Sequence, residues 1–242
     1  MPRPLTPPDT LSRLLGAVDG GRVLDVATRR GDFIGLLAAS LRSHAGFAGI
    51  DTDSEALAEA RRAHPDAQFE RADAASLPFP DADFDTVAIA NSLHHLPDLP
   101  AAFREMKRVL RPGGAFVVRE MYRDGQDEAR LTHVLAHDWW AEVNTRSGES
   151  HRPSYTRAEV LALVVGLGLA DLATDDLVPG GDPLDPESIE VFARRNREVL
   201  RKLRGAADYA AHEARCEALI ARARAVGILS PAAVIAVGRN PV

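Results

Sequence analysis

Asp25, Asp51, Asp73 and Asn91 are the residues of this chain best suited to shared chemistry, because each stands at or just past the end of a short apolar run. Loops at the carboxyl ends of parallel strands diverge, and helix N-termini there point toward a ligand, so polar groups at such ends can hold a nucleoside. A carboxylate at Asp51 can accept from both ribose hydroxyls. Asp73, in Arg71-Ala72-Asp73-Ala74, can accept from an adenine amino group. Asp25 can organise the ligand's amino end, directly or through water, and Asn91 stands at the mouth of the cleft. A lone acid in a loop is most often solvated or capping. Four such groups at successive strand ends describe a site.

The elements that must position them follow from the alternation of apolar runs and breakers. Val23 to Val26 reads as a strand leading into a helix from Asp32 to Arg42. Gly46 to Asp51 is the second strand, followed by a helix from Asp53 to Ala63 that Pro65 stops. Ala67 to Arg71 and Phe84 to Ala90 are the third and fourth strands. A helix from Leu99 to Leu110 precedes a fifth strand, Ala115 to Glu120. Before all of these, a Pro-rich lead-in ends at Asp9, a candidate N-cap of a helix through Val18. Strands alternating with helices predict a parallel sheet wound by right-handed crossovers. The turn Leu110-Arg111-Pro112-Gly113-Gly114 suits entry into the fifth strand.

Composition narrows the function classes. The 242 residues suit one α/β domain with an elaboration, and 45% hydrophobic with 26% charged residues suits a buried core. A net charge of −6 argues against gripping phosphate backbones, so no nucleic-acid partner is expected. Cys216 is the only cysteine, which excludes an internal disulfide and a cysteine-based metal cluster. No apolar run is long enough to span a bilayer, and Met1 to Leu5 does not read as a signal peptide, so a cytoplasmic location is expected.

Past the fifth strand the pattern loosens. Met121 to Arg152 is rich in aromatics and histidines, Thr156 to Leu167 reads as a helix, Leu169 to Val178 as extended, and Ala232 to Val237 as a last strand. Between the latter two, Ile189, Phe192, Asn196, Val199 and Leu203 repeat at helical spacing, as do Tyr209, His212, Cys216, Leu219, Ala223 and Val226. That pattern predicts a helical hairpin around Gly205 with a narrow apolar seam. An asparagine in the seam can set register, either within the hairpin or across a homodimer.

Five segments in order resemble the class I S-adenosylmethionine-dependent methyltransferases, in particular the small-molecule branch that includes ubiquinone/menaquinone biosynthesis C-methyltransferases. They are Val23-Leu24-Asp25-Val26-Ala27-Thr28, Ile50-Asp51, Ala72-Asp73-Ala74 with Leu77-Pro78-Phe79, Phe84-Asp85 with Asn91-Ser92-Leu93-His94-His95-Leu96, and Leu110 to Gly114. The likeness spans Val23 to Val118 and returns weakly at Ala232 to Arg239. It implies a Rossmann-like α/β fold, a seven-stranded and mostly parallel sheet whose last strand is antiparallel. The whole of 1–242 is then one domain, with a cap insertion at 121–155 and a helical hairpin insertion at 184–228. By the family's topology both insertions lie over the cleft. The implied cofactor is S-adenosyl-L-methionine, held by Asp25, Ala27, Thr28, Arg30, Gly31, Asp51, Thr52, Asp73, Ala74 and Asn91. The implied reaction is in-line methyl transfer to a small molecule.

One departure stands out. Arg29 occupies a position where the family usually has glycine, and Arg30 one where threonine is typical. The Arg29 side chain can point away, pair with the cofactor's carboxylate, or block the pocket. A silent nucleoside-binding or protein-interaction module, or an enzyme using the sulfonium for other chemistry, are the rival readings. A nicotinamide enzyme would also want Asp51, but Ala27-Thr28-Arg29-Arg30-Gly31 is not its glycine-rich turn.

For the acceptor, Tyr122, His133, Trp139, Trp140 and His151 are the candidate contacts, with the two tryptophans also serving as core. His95 and His137 have the intrinsic pKa of a general base. His133, His137 and His151 can in principle form a three-histidine metal site. No carboxylate or cysteine spacing reinforces it, so the sequence reading assigns no metal.

Overall fold

The computed structural model describes residues 7–242, with side chains from Thr10 onward; Met1 to Thr6 and the Asp9 side chain lie outside the described residues. Seven strands form one sheet: β1 (Arg22–Val26), β2 (Gly46–Asp51), β3 (Gln68–Arg71), β4 (Phe84–Ala90), β5 (Leu110–Met121), β6 (Ala170–Leu177) and β7 (Ala233–Arg239). Their order is β3-β2-β1-β4-β5-β7-β6, and β7 runs antiparallel to both neighbours. The first four strands pair in parallel, with Asp25 opposite Gly49 on β2 and Ala88 on β4. The chain returns from the β3 edge to place β4 beside β1. That reversal opens a crevice at the carboxyl ends of β1 and β4, the usual ligand position in such sheets.

Period-two alternation divides the core between the two faces. Val23, Ala88, Ala115, Val117 and Ile235 meet Leu11 and Leu15 of α1 (Pro7–Leu15) and Phe33 and Leu37 of α2 (Asp32–Ser40). Leu24, Val26, Val87, Ile89 and Val118 meet Met106 of α4 (Leu99–Val109) and Val160 and Val164 of α6 (Arg157–Gly166). The helix α3 (Ser54–Ala63) packs on β2 and β3. Asp53 is its N-cap, accepting from the Glu55 and Ala56 N–H groups. Thr156 and Glu159 form a reciprocal capping box on α6.

Three further helices make a separate apolar cluster: α5 (Glu128–Arg146), α7 (Pro186–Arg201) and α8 (Tyr209–Val226). The sequence left Met121 to Arg152 without a regular element because aromatics and histidines blur the apolar stripe. In the fold, Ala136, Trp139, Trp140 and Val143 supply that stripe and fill the seam of the α7/α8 hairpin. The apolar seam is thus covered by α5 of the same chain. Asn196 accepts from the Trp140 indole N–H (2.8 Å) instead of setting register with a second copy. Val226, assigned to the seam, is exposed, since α8 ends there.

Two boundaries also move. α1 ends at Leu15 and includes Asp9, which is therefore not its N-cap. β5 begins at Leu110, with the Arg111 to Gly114 turn carried in the strand as a shift in pairing between Phe84 and Thr86. Gly113 takes φ 74° and gives its N–H to the Asn240 carbonyl at 2.8 Å.

Candidate active site

A cavity of about 640 Å³ opens where the sheet predicts a crevice. Ala27, Arg29, Asp51, Thr52, Asp73 and Ala74 line its sheet side, with Ser92, His95 and Leu96 after β4. Asn144 at the end of α5, Glu149 to His151 beyond it, and Arg195, Glu198, Val199 and Lys202 on and after α7 complete the wall. Arg195 and Lys202 were missed in the sequence because basic residues there look like the solvated face of a helix.

The loop after β1 takes the path that glycine would take, without the glycines. Ala27 and Arg29 both occupy the left-handed region, at φ 56° and 48°. Such residues cost about 1–3 kcal/mol each and persist where surroundings fix them. Here the fixing bonds are plain. The Thr28 N–H donates to the Ile50 carbonyl (2.9 Å), the Thr28 hydroxyl to Asp25 Oδ2 (2.6 Å), and the Arg29 N–H to Asp51 Oδ2 (2.9 Å). Gly31 is required: its φ is 83°, and a Cβ would lie 2.6 Å from the His64 ring. Arg30 is a correction, because its side chain pairs with Glu59 on α3 (3.0 Å) and does not line the cavity. Arg29 does line it, and no acid pairs with its guanidinium among the described residues.

The strand-end acids divide into those that face the cavity and one that supports it. Asp51 accepts the Asp53 N–H at Oδ1 (2.9 Å) and the Arg29 N–H at Oδ2. A carboxylate offers about four acceptor positions, so capacity remains on the cavity side. Asp73 accepts the Ala75 N–H (2.8 Å), leaving its other oxygen free. Asp25 is only 1% exposed and lies behind the loop, off the cavity wall. Its Oδ1 is buried without a partner, as is Asn91 Oδ1. Asn91 is held at φ 47°, its N–H on the Arg119 carbonyl (2.7 Å). Asp25, Thr28, Gly31 and Asn91 therefore shape the loops and do not line the cavity.

Burial pushes Asp25 up to about 7, with the nearby Asp51 and Asp32 charges adding and the Thr28 hydroxyl opposing. The fold thus holds this proton up to about pH 7, whereas the unfolded chain releases it near 3.8. The contribution to stability is complete below about pH 4, falls as pH rises, and is gone above about pH 7. Melting curves from pH 4 to 7 are expected to show a decline, on the order of 4 kcal/mol at most, that Asp25→Asn lacks. Parallel curves for the two chains would remove Asp25 as the source.

Behind one wall of the cavity four histidines meet. His94 and His95 lie on a 3-10 turn (Leu93–His95), His137 on α5 and His151 beyond it, and one ring nitrogen from each lies within 4.8 Å of the others. His137 Nε2 is 3.2 Å from both His94 Nε2 and His151 Nε2. His94 Nδ1 meets Glu120 Oε1 (2.6 Å), whose other oxygen accepts the Leu93 N–H (2.8 Å). Ser154 and Asn144 engage the Nδ1 atoms of His137 and His151. Burial first, then the neighbouring rings, hold His95 down to about 2 and His151 to about 3; burial also lowers His137. His95, His137 and His151 are thereby weakened as bases. The general-base roles given to His95 and His137 are therefore corrected, and His137 does not reach the cavity wall.

Of the predicted acceptor contacts, only His151 lines this cavity. Tyr122 is in the sheet core and bridges Tyr155 through its backbone. Trp139 is 0% exposed, its indole N–H on His212 Nδ1 (3.0 Å). His133 and Trp140 border a second cavity of about 530 Å³, with Arg195 lying 4.4 Å over the Trp140 ring. Burial raises the Cys216 thiol to about 11, so it is no nucleophile at neutral pH.

Comparison with known proteins gives the same fold. The family model described as "Methyltransferase domain" matches residues 24–118. A 2-phytyl-1,4-naphtoquinone methyltransferase of Synechococcus elongatus is 36% identical over 130 residues, covering 51% of this chain and 56% of that protein. A fatty-acid O-methyltransferase of Mycolicibacterium smegmatis is 40% identical over 102 residues, 41% of this chain and 37% of that one. The chain thus spans about half or less of the length of these curated relatives. A crystal structure of a methyltransferase candidate from Bacillus halodurans superposes with a TM-score of 0.60 at 16% identity, covering 97% of this chain and 99% of that one.

Proposed function

We propose, from a chain whose residues 24–118 carry a methyltransferase domain, that it transfers the methyl group of S-adenosylmethionine to a small molecule. The supporting observation is the cavity itself, where Ala27, Asp51, Thr52, Asp73 and Ala74 share a wall at the strand ends of that domain. Its volume falls within the roughly 300–1,000 Å³ of small-molecule sites. The donor set also fits the cofactor. Asp51 would take the ribose hydroxyls, Asp73 the adenine amino group, and Arg29 with Arg195 the carboxylate, as charge-assisted bonds. Asp25, behind the loop, would act by holding Thr28 and so the path of the loop that faces the cofactor.

When bound, the cofactor supplies an electrophilic methyl group on a sulfonium. The chain's own task is alignment and exclusion of water, which can lower a barrier by roughly 7–11 kcal/mol. Segments beyond β5 close the cavity: Ser150 and His151 from the loop after α5, and Val199 from α7, share its lining with Ser92, His95 and Leu96. The two relatives bear the names of a quinone and a fatty-acid methyltransferase, so the acceptor is assigned only as a small molecule.

Arg29 on the wall is the observation that a silent binding module would share. Equilibrium binding of S-adenosylhomocysteine and of adenosine to wild type and Arg29→Ala separates the two. A clamp on the carboxylate predicts about tenfold weaker S-adenosylhomocysteine binding with adenosine unchanged, the loss of one charge-assisted bond. Tighter binding of both would mean that the guanidinium obstructs the pocket.

A further inference from the structure

We propose that His94, His137 and His151 bind one divalent transition-metal ion of the zinc type through their Nε2 atoms, with the open fourth position beside His95 and toward the cleft. The family match does not supply this site, since it ends at residue 118 and two of the three ligands lie beyond it.

Distance is the first support. Zinc bound tetrahedrally at about 2.0–2.1 Å to nitrogen sets ligand nitrogens roughly 3.3 Å apart. The two Nε2 separations from His137 are each 3.2 Å. Tautomers are the second. The buried Glu120 carboxylate can only accept, so His94 carries its proton on Nδ1 and leaves a lone pair on Nε2. The Ser154 hydroxyl donates to Asp138 Oδ1 (3.0 Å), so its oxygen accepts from His137 Nδ1 and leaves the His137 Nε2 lone pair free. Two lone pairs facing at 3.2 Å repel unless a cation lies between them.

The outer partners complete the pattern of a metal-ligating histidine, whose second nitrogen is held by a carboxylate or other oxygen group. Glu120 is 0% exposed and supplies a compensating negative charge. His151 needs one adjustment. Asn144 now gives its amide N–H to His151 Nδ1 (2.9 Å) while its oxygen accepts from Lys202 (2.9 Å). Turning the amide over lets Asn144 accept from Nδ1, and Lys202 keeps its ion pair with Glu149. Imidazole ligands suit zinc, copper, iron and nickel, and three ligands with one open position mark a site that binds a further group. If the methyl-transfer reading holds, such an ion would favour the deprotonated form of an acceptor hydroxyl or thiol.

The test is titration of the untagged, metal-stripped chain with Co2+, read by visible d–d absorption and by metal content after dialysis. One Co2+ per chain is expected, with a tetrahedral spectrum and displacement by Zn2+. His137→Gln and His151→Gln should each weaken binding at least about 100-fold, and Glu120→Gln about 10–100-fold. His133→Gln, outside the cluster, should bind as wild type. Circular dichroism checks folding, and His151→Gln on the cavity wall decides if the buried His137→Gln does not fold. No uptake by folded wild type, or unchanged uptake by folded His151→Gln, overturns the site. S-adenosylhomocysteine titration of the same samples keeps this result separate from the fate of the methyl-transfer reading.

Discussion

Asp51→Asn is expected to weaken S-adenosylhomocysteine binding about 100-fold, or about 2.7 kcal/mol, while leaving the chain folded. The carboxylate sits at the end of β2 with one oxygen on the Asp53 N–H and the other on the Arg29 N–H. Both backbone donors need acceptors, so the two oxygens are fixed in place before any ligand arrives. An asparagine keeps one acceptor and turns the other into a donor, which must then face either a backbone N–H or a ribose hydroxyl. The backbone contacts that fix the β1 loop and the Asp53 turn are loosened in the first case, and charge-assisted bonds to the ribose are lost in the second. Calorimetric titration reads the affinity. A loss below about threefold would mean that no ribose lies against Asp51.

Trp139→Ala is expected to cost about 3–5 kcal/mol in folding stability, the range for emptying a large buried aromatic site. Trp139 is wholly buried where α5 meets α8, and its loss also leaves His212 Nδ1 without its indole donor. Denaturant unfolding measures the change. A loss under about 1 kcal/mol would show that the three-helix cap packs loosely. Because α5 and the segment after it carry His137 and His151, and α7 carries Arg195, loosening the cap should also weaken ligand binding.

The sheet and its loops were legible because strand periodicity and strand-end acids are local signals. Val23 to Val26, Gly46 to Asp51 and Phe84 to Ala90 stand out as short apolar runs, and β1, β2 and β4 follow them closely. The cap was legible only in part. The seam residues Ile189 to Leu203 announced a hairpin, but its partner α5 hides its apolar face among histidines and tryptophans. Burial of His137 and both tryptophans depends on long-range packing that no window of sequence contains. The histidine cluster was not legible for the same reason. His133 has the right spacing on α5 yet faces Trp140, and the ring that meets His137 is His94, some forty residues earlier. Glu120, the carboxylate whose absence from the spacing argued against a metal, arrives from β5. Arg30 was assigned to the cofactor by position alone, and its ion pair with Glu59 shows how one peptide unit reverses a side chain in a tight loop.

A crystal structure of the chain with S-adenosylhomocysteine is the most direct measurement. The account predicts the adenosyl group along the wall of Asp51 and Asp73, ribose hydroxyls on the Asp51 carboxylate, and the amino-acid end beside Arg29 with its sulfur toward His95 and His151. Density showing the Arg29 guanidinium filling that space, with the nucleoside absent or bound elsewhere on a folded chain, would contradict it.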